Sequence, residues 1–377
     1  MRQVCYVSGT RADFGLMRRT LEAIAAADGL QLSIVATGMH LDERYGMTIR
    51  DIEAAGLPVA ARIPVEAQGA PTGAAMAHDI SRMLAGMVDA FERLRPDTVL
   101  LLGDRGEMLA GAIAALHLNI PIAHVHGGER SGTVDEPVRH AISKLSHFHF
   151  TATAQSRERL VRMGEAPAQV FVTGAPGLDG IVHDAGILRA DLLADQHFDP
   201  GRPVAILVFH PVVQDADEAG KVATLLLNRL LRDGFQILAL RPNSDAGSAA
   251  VRAALDREAG HADVRVITHL ERPAFLSWLA AADVMVGNSS AGIIEAASFG
   301  LPVVNVGRRQ NLRERNANVV DVEPVAQAVD DALTRVRRQG RLPRQNVYGD
   351  GQAATRIVEL LRTIPLDPSI LAKANAY

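Results

Sequence analysis

The stretch TVLLLGDRGEMLAGAIAALHLNIPIAHVHGG, residues 98–128, contains two short apolar runs separated by a segment whose apolar residues recur at helical spacing. The runs TVLLLGD and IPIAHVHG are each bounded by Gly or Pro, as the buried strands of a parallel sheet are. The segment EMLAGAIAALHL between them predicts a covering helix. This strand–helix–strand unit therefore predicts an α/β fold built on a parallel sheet.

The same alternation of strands and helices continues in both directions along the chain. It predicts a first doubly wound domain over residues 1–175, a looser polar connection over 176–202, and a second doubly wound domain over 203–349. Residues 350–377 form a last helix and a tail. Ligands of such sheets bind at the carboxyl ends of the strands. We therefore expect one ligand site in a cleft between the two domains.

Composition excludes several classes of protein. The chain has 377 residues, 48% of them hydrophobic and 22% charged, which is enough to bury more than one core. A formal net charge of -4 argues against a nucleic-acid or membrane-surface role, because no excess of cations is present to neutralise phosphates. No apolar run reaches the ~20 residues of a membrane span, and the start lacks a signal-peptide core. We therefore expect a cytoplasmic protein.

Cys5 is the single cysteine of the sequence. It excludes an internal disulfide and a cysteine-based zinc site.

Acidic, basic and glycine residues are concentrated in HVHGGERSGTVDE, residues 124–136, at the end of a predicted strand. Glu129, Asp135 and Glu136 lie close enough in sequence to shift one another's pKa values if they face a cleft that excludes water. Asp135 could instead cap the following helix, with Glu136 in its first turn. Asp104, at the end of the preceding strand, is a further candidate functional residue.

Residues 287–295, GNSSAGIIE, connect a predicted strand to a helix through a turn of small residues. Backbone N–H groups at a helix start, together with the hydroxyls of Ser289 and Ser290, can bind phosphate, although Ser and Asn are also ordinary N-cap residues. Glu295 lies further along the helix, within reach of a sugar hydroxyl. His210 ends another strand of this domain and is a hydrogen-bond donor near neutral pH.

The first strand is followed by a comparable turn in SGTRADFG, residues 8–15. Gly9 permits a tight turn, and Arg11 could hold a phosphate through two hydrogen bonds. The alternative is a plain capped turn in which Asp13 is only a first-turn acid. Neither turn contains G-x-G-x-x-G or a P-loop, so NAD and ATP are not supported as ligands.

Two histidine pairs raise a metal-dependent hydrolase as an alternative enzyme class. His124 and His126, and likewise His147 and His149, alternate along strands and so face the same side. A zinc site needs a third and usually a fourth ligand in a closed geometry. Because His124 and His147 lie within apolar strands, we favour core histidines over metal ligands.

Several stretches together resemble the hydrolysing nucleotide-sugar 2-epimerases, the UDP-N-acetylglucosamine 2-epimerases of sialic-acid-type biosynthesis. They are SGTRADFG, TGMHLDERYGMT, GDRGEM, HVHGGERSGTVDEPVRHAISKLSH, VTGAPGLD, FHP, RPNSDAGS and GNSSAGIIE. The resemblance implies a GT-B fold, that is, two Rossmann-like domains with the last helix crossing back to the first. The non-hydrolysing relatives carry other residues where this chain has GDR, HGGE and FGLM, which indicates the branch that releases free sugar.

The resemblance implies anti elimination of UDP across C1 and C2 of the sugar, followed by addition of water to the 2-acetamidoglycal with inversion at C2. It implies neither a metal nor a nicotinamide cofactor. Breaking a C2–H bond needs a positioned base, and adding water needs a second acid–base pair. Asp104, Glu129 and Asp135 match the family positions for this chemistry, with Glu136 as the substitute if Asp135 is only a cap.

The resemblance also implies the binding residues and the assembly. Arg11, His210, Ser289 and Ser290 would hold the diphosphate, and Glu295 would hold the ribose. The remaining residues expected to bind the substrate are Asn243 and Gly292. The family expectation for the assembly is a homodimer.

The sugar is either UDP-N-acetylglucosamine, which yields N-acetylmannosamine, or UDP-2,4-diacetamido-2,4,6-trideoxyglucose, which leads to legionaminic-acid-type products. The first group is expected to carry Gly-Asp-Arg-Tyr-Glu, whereas Gly106 replaces the aromatic residue here. The missing ring would leave room near the sugar for a bulkier C4 acetamido group. The sequence therefore favours the diacetamido substrate.

Two further alternatives remain open besides the metal hydrolase. A GT-B glycosyltransferase would share the fold and the nucleotide site, but it would not need clustered acids in the first domain to break a C–H bond. A non-catalytic nucleotide-sugar sensor would bind without turnover.

Overall fold

The computed structural model describes residues 1–43, 46–65, 73–131, 135–212, 218–242, 247–268 and 270–376. The chain forms two compact units. The first comprises Met1–Asp179 and Tyr348–Tyr377, and the second comprises Gly180–Val347. Within the described ranges, no helix is both long enough and apolar enough to span a membrane.

The first unit is built on a parallel sheet in the order β3-β2-β1-β4-β5-β6-β7. Its strands are β1 (Arg2–Ser8), β2 (Leu30–Thr37), β3 (Val59–Ile63), β4 (Thr98–Leu102), β5 (Ile122–Val125), β6 (Phe148–Thr151) and β7 (Val170–Val172). Its helices before the second unit are α1 (Arg11–Ala26), α2 (Ile49–Ala54), α3 (Gly73–Leu94), α4 (Gly106–His117), α5 (Asp135–Leu145) and α6 (Ala154–Arg162).

Helices cover both faces of this sheet because its central strands are apolar on both sides. Val4 and Tyr6 of β1 join the core cluster that contains Phe14 of α1. Cys5 and Val7, which point the other way, join a second cluster with residues of α3 and α4. The sheet therefore separates two buried layers, and its strand ends are left for polar residues.

The second unit repeats this plan with a parallel sheet in the order β10-β9-β8-β11-β12-β13. Its strands are β8 (Val204–Val208), β9 (Gln236–Leu240), β10 (Val264–Ile267), β11 (Val284–Gly287), β12 (Val303–Val306) and β13 (Val319–Val322). Its helices are α7 (Ile181–Asp184), α8 (Arg189–Asp195), α9 (Ala219–Arg232), α10 (Ser248–Glu258), α11 (Arg272–Ala281), α12 (Ser290–Ile294) and α13 (Ala326–Gln339).

The segment 176–202, predicted as a connection, contains the short helices α7 and α8. Leu192 and Leu193 of α8 are buried, and both helices contact α11. Most of this segment is therefore part of the second unit, because its few apolar residues pack there instead of remaining in solvent.

The last helix, α14 (Ala353–Thr363), belongs to the first unit and packs against α1. Its first turn is held by Asp179, whose carboxylate accepts hydrogen bonds from the backbone N–H groups of Ala353 (2.9 Å) and Ala354 (2.5 Å). An acidic side chain at a helix start satisfies N–H groups that the helix itself leaves unpaired. Asp179 thus joins the two chain segments that make up this unit.

The tail after α14 is fastened to the carboxyl end of α5. Nζ of Lys373 donates to the carbonyl oxygens of Ser143 (3.1 Å), Lys144 (2.9 Å) and Ser146 (2.5 Å). The same ammonium group lies 2.6 Å from the carboxylate of Glu165, whose side chain is fully buried. A cation at a helix carboxyl end is favourable because the last carbonyl groups carry negative partial charge.

Candidate active site

Strands β4, β5 and β6 are parallel neighbours, so their carboxyl ends lie along one edge of the first sheet. Asp104 lies just beyond the end of β4, and the loop that contains Glu129 follows β5. The structure therefore places these two predicted residues at the same edge, as the sequence indicated.

Arg139 of α5 connects the two predicted carboxylate positions. Its buried guanidinium is ion-paired with Asp104 and donates to the backbone oxygen of Glu129 at 3.1 Å and to Oγ of Ser131 at 3.4 Å. Helix α5 begins at Asp135. Arg139 thus ties Asp104, the loop after β5 and the helix that carries Asp135 into one cluster.

His126 and Glu129 form a close pair in the loop after β5. Nδ1 of His126 lies 2.5 Å from Oε1 of Glu129, and the two side chains are 12% and 6% exposed. His126 has a backbone φ of 64°, in the left-handed region that non-glycine residues rarely adopt. The HVH pattern raised His126 only as a possible metal ligand, and the sequence did not indicate its pairing with Glu129.

Asp13 organises the turn SGTRADFG after β1. Its carboxylate accepts hydrogen bonds from the backbone N–H groups of Gly9 (3.0 Å) and Thr10 (2.6 Å), and from the hydroxyls of Ser8 (2.5 Å) and Thr10 (2.9 Å). Burial raises the pKa of Asp13, while these hydrogen bonds and the nearby His40 oppose that rise. Asp13 is therefore the centre of the turn and not only a first-turn acid.

Gly9 allows the turn to lie directly against Glu107, the acidic residue in the first turn of α4. A Cβ atom at Gly9 would lie 2.3 Å from Oε1 of Glu107, so no other residue fits without displacing that carboxylate. Glu107 is buried and is paired with Arg105 at 2.7 Å.

Arg11, the predicted phosphate ligand, is the first residue of α1. Its guanidinium is partly exposed and lies 3.1 Å from the carboxylate of Asp51.

The remaining histidines of the HVH and HFH pairs form hydrogen bonds within the core. His124 contacts Oγ of Ser143 (3.0 Å) and the backbone oxygen of Gly103 (2.7 Å), and burial lowers its pKa to about 3. Nδ1 of His147 accepts from a backbone N–H, and Nε2 of His149 lies 2.9 Å from Glu165. In the described ranges, no group of three His, Cys, Asp or Glu side chains is arranged to hold a metal. The hydrogen bonds of His124, His147 and His149 are those of core histidines.

In the second unit, Asn288 holds together the ends of the neighbouring strands β8 and β11. Its side chain accepts from the backbone N–H of His210 (2.7 Å) and donates to the backbone oxygen of His210 (2.8 Å). Arg309 and Gln310, which follow β12, both donate to the backbone oxygen of Asn288 at 3.1 Å. The backbone of His210 is thereby fixed beside the turn that begins α12. The guanidinium of Arg309 lies at the same turn, and the sequence patterns did not identify it.

Ser289 caps α12, since its hydroxyl accepts from the backbone N–H of Ala291 at 3.3 Å. Ser290 is the first residue of that helix. The predicted N-cap is therefore present, and a capping serine can still face a ligand.

Two other predicted residues of this segment are buried. A Cβ at Gly292 would lie 2.9 Å from Cγ1 of Val303, so the glycine allows α12 to approach β12 closely. Glu295 is 2.9 Å from Nη1 of Arg272. Asn243, the last of the predicted binding residues, lies outside the described residues.

Two doubly wound units with parallel sheets are typical of proteins with the two-domain GT-B fold, and solved structures confirm this fold. The crystal structure of UDP-GlcNAc 2-epimerase from Neisseria meningitidis bound to UDP-GlcNAc superimposes with a TM-score of 0.81 at 20% identity, covering 95% of this chain and 99% of that one. The chain belongs to the UDP-N-acetylglucosamine 2-epimerase family, whose model matches residues 22–362.

Curated relatives support the same assignment. The chain is 50% identical over 377 residues to the UDP-N,N'-diacetylbacillosamine 2-epimerase (hydrolyzing) of Legionella pneumophila, covering 100% of both proteins. It is 31% identical to the UDP-N-acetylglucosamine 2-epimerase of Neisseria meningitidis serogroup B, covering 94% of this chain and 93% of that protein. The resemblance predicted from the sequence motifs is confirmed, and the protein is an enzyme of a UDP-sugar 2-epimerase family.

Proposed function

We propose that the protein is a hydrolysing 2-epimerase that converts UDP-2,4-diacetamido-2,4,6-trideoxyglucose to UDP and the free manno-configured sugar. The observation that carries this proposal is the 50% identity, over the whole length of both chains, to a relative named as a hydrolysing 2-epimerase of this diacetamido class. UDP-N-acetylglucosamine, named for more distant relatives, is the second candidate substrate.

Packing around Gly106 corrects the sequence argument about the sugar. A Cβ at Gly106 would lie 2.7 Å from Cδ1 and 2.8 Å from Cγ1 of Ile80, so this side chain already occupies the space next to the glycine. An absent aromatic ring therefore does not by itself leave room for a C4 acetamido group. The choice of substrate depends on the similarity between whole chains.

The proposed reaction begins with loss of the C2 proton and departure of UDP, which leaves a 2-acetamidoglycal. Water then adds to the glycal. Its hydroxyl group bonds to C1, and a proton is delivered to C2 on the face opposite to the one from which the first proton was removed, so C2 is inverted. We assign the acid–base chemistry to the cluster that contains Asp104, Glu129 and Asp135, because Arg139 and α5 hold these positions together.

We assign binding of the diphosphate to Arg11 in the first unit and to His210, Ser289 and Ser290 in the second, and binding of the ribose to Glu295. Hydrogen-bond donors fixed by a rigid scaffold stabilise the charge on a departing diphosphate. Asn288 supplies such a scaffold for His210. We further propose a cytoplasmic homodimer that serves sialic- or legionaminic-type acid biosynthesis.

The test follows the purified protein by proton NMR in deuterated water, with a chelator present, on each of the two nucleotide sugars separately. We expect UDP and free manno-configured sugar with deuterium at C2 from the diacetamido substrate. Turnover of UDP-N-acetylglucosamine alone would reverse the substrate assignment. If both nucleotide sugars stay intact, hydrolysing epimerisation of these substrates is wrong, and transfer to an acceptor would be tested next.

A further inference from the structure

The loop after β5 contains a histidine, His126, whose backbone conformation is rare and is held by hydrogen bonds to neighbouring elements. His126 adopts a φ of 64°, although it is not a glycine. Its backbone N–H donates to the oxygen of Phe150 in β6 at 3.0 Å, and Arg159 of α6 donates to the backbone oxygen of Gly128. Sparsely populated backbone conformations persist where the surroundings impose them, and they are concentrated at active sites.

The contact with Glu129 determines which nitrogen of His126 is available. Nδ1 lies 2.5 Å from Oε1 of Glu129. A neutral imidazole that donates from Nδ1 to this carboxylate leaves Nε2 as an acceptor. Within the described part of the chain, no hydrogen bond to Nε2 is formed, and 12% of the side chain is exposed. The ring is thus oriented by a buried acid while its second nitrogen is available.

We propose that His126 is the catalytic base that takes the C2 proton through Nε2, and that Glu129 is a positioning residue that orients the ring. This inference rests on the proposed function. The C2–H bond breaks, its electron pair forms the C1–C2 double bond of the glycal, and the C1–O bond breaks to release UDP. The proton remains on the imidazolium, whose charge is balanced by the Glu129 carboxylate.

The chemistry of C2 favours an imidazole over the nearby carboxylates. A C–H bond next to an acetamido group is a weak acid, so it needs the strongest base that is unprotonated at neutral pH. An imidazole has an ordinary pKa near ~6.5, about two units above that of a carboxylate. Asp104 is ion-paired with Arg139, and Oε1 of Glu129 is engaged by His126 itself.

The charged and titratable groups near the loop of His126 come from three elements besides the loop itself. Arg139 of α5 donates to the backbone oxygen of Glu129, and Arg159 of α6 donates to the backbone oxygen of Gly128. The groups are Glu129 in the loop, Glu136, Arg139 and His140 on α5, Arg159 on α6 and His124 on β5.

The test uses the full-length protein and the nucleotide sugar that the wild-type enzyme turns over. H126G and H126N both suit a left-handed backbone, so the loop can keep its shape. We expect each to lower kcat by about 10²- to 10⁴-fold, the usual contribution of a general base, with KM and UDP affinity within about threefold of wild type. H117Q, at an exposed histidine in the last turn of α4, is the matched control and should be unaffected.

Chemical rescue distinguishes a base from a structural residue. Added imidazole should restore turnover and C2 deuteration to H126G in proportion to its neutral fraction, and it should not stimulate H117Q.

Two results would overturn the proposal while leaving the proposed function intact. One is an H126G variant that keeps wild-type kcat, and the other is a folded, UDP-binding H126G variant that is inactive and is not restored by imidazole. Failure of the proposed function itself is seen separately, since the wild-type enzyme would then release no UDP from either sugar. That outcome would overturn both proposals.

Discussion

Asp13 shows how a single buried carboxylate can hold a turn after a strand in shape. It accepts hydrogen bonds from two backbone N–H groups and from the hydroxyls of Ser8 and Thr10, so these four donors share its two oxygens. The sequence identified the turn from its glycine and its arginine. It did not identify the acid as the centre of the turn, because the same letters fit an ordinary helix start.

Asp13→Asn should destabilise the protein. An amide has one accepting oxygen and brings two donors to a place already filled with donors, so at least one buried group is left unsatisfied, at about 1–3 kcal/mol. We expect a lower free energy of unfolding in urea and a lower kcat. Asp28→Asn, at an exposed position after α1, is the control and should leave both unchanged.

Arg139 should be irreplaceable by lysine. Its planar guanidinium reaches the carboxylate of Asp104, the backbone of Glu129 and the hydroxyl of Ser131 at once, whereas an ammonium group is a single point charge. Removing a buried partner of an ion pair costs about 3–5 kcal/mol. Chemical denaturation should therefore show a large loss for Arg139→Met and an intermediate loss for Arg139→Lys.

Arg162→Met is the control for both arginine variants, since Arg162 is exposed on α6. Equal stability of the wild type and Arg139→Lys would show that the three contacts are not needed together.

The sequence does carry a signal for Arg139. This residue shares a face of α5 with the buried Ile142 and Ser143, at the spacing of a core-facing stripe. A charged residue at such a position implies a buried partner, but that partner comes from a distant strand.

At the scale of elements, the long amphipathic helices and the central strands were predictable, whereas one edge strand of each sheet, β3 and β13, was not. Both lie at sheet edges, and their sequences VAARI and VVDV include charged residues, because an edge strand faces solvent on one side. Their pairing depends on the neighbouring strand and is not encoded by local apolar content.

The tail that fastens to α5 was also beyond the reach of sequence patterns. Lys373 finds its carbonyl partners more than 220 residues away along the chain. Lys144 and Lys373 both contact Glu165, which is buried beside His149. This cluster connects the carboxyl end of α5, the segment after α6 and the tail. It therefore helps to fix the position of α5, the helix that carries Asp135 and Arg139.

The stability of this cluster should depend on pH through Glu165. Burial alone would raise its pKa, but hydrogen bonds from His149, Lys144 and Lys373 hold the pKa at about 2, below its ordinary value of 4.5. A carboxyl with a depressed folded-state pKa stabilises the protein above its unfolded pKa and loses that contribution as the pH falls from about 4.5 toward 2. The full contribution is about 3 kcal/mol.

The measurement compares the free energy of unfolding of the wild type and Glu165→Gln between pH 7 and pH 3. We expect the wild type to be more stable near pH 7 and the difference to narrow below about pH 4.5. Glu158→Gln, at an exposed residue of α6, should follow the wild type at every pH. A constant difference between the wild type and Glu165→Gln would show that the ionised state of Glu165 contributes nothing.

At the scale of the whole molecule, the two units carry different parts of the proposed work. The acid–base cluster lies in the first unit, and the hydroxyls of Ser289 and Ser290 lie in the second together with His210. The motifs predicted this division, because each set follows strands of a different sheet. Contacts such as His126 with Glu129 required the structure, since a histidine in the left-handed conformation has no sequence signature beyond the glycines that follow it.

The division predicts that nucleotide binding and catalysis can be separated by mutation. UDP should raise the melting temperature of the wild type by several degrees, because a ligand at 100 times its Kd stabilises the folded state by about 2.7 kcal/mol. Asp104→Asn should keep this UDP-dependent shift while losing turnover. His210→Ala should lose most of the shift at the same UDP concentration, because the residue lies where we place the diphosphate. If Asp104→Asn lost the shift and His210→Ala kept it, the assignment of nucleotide binding to the second unit would be wrong.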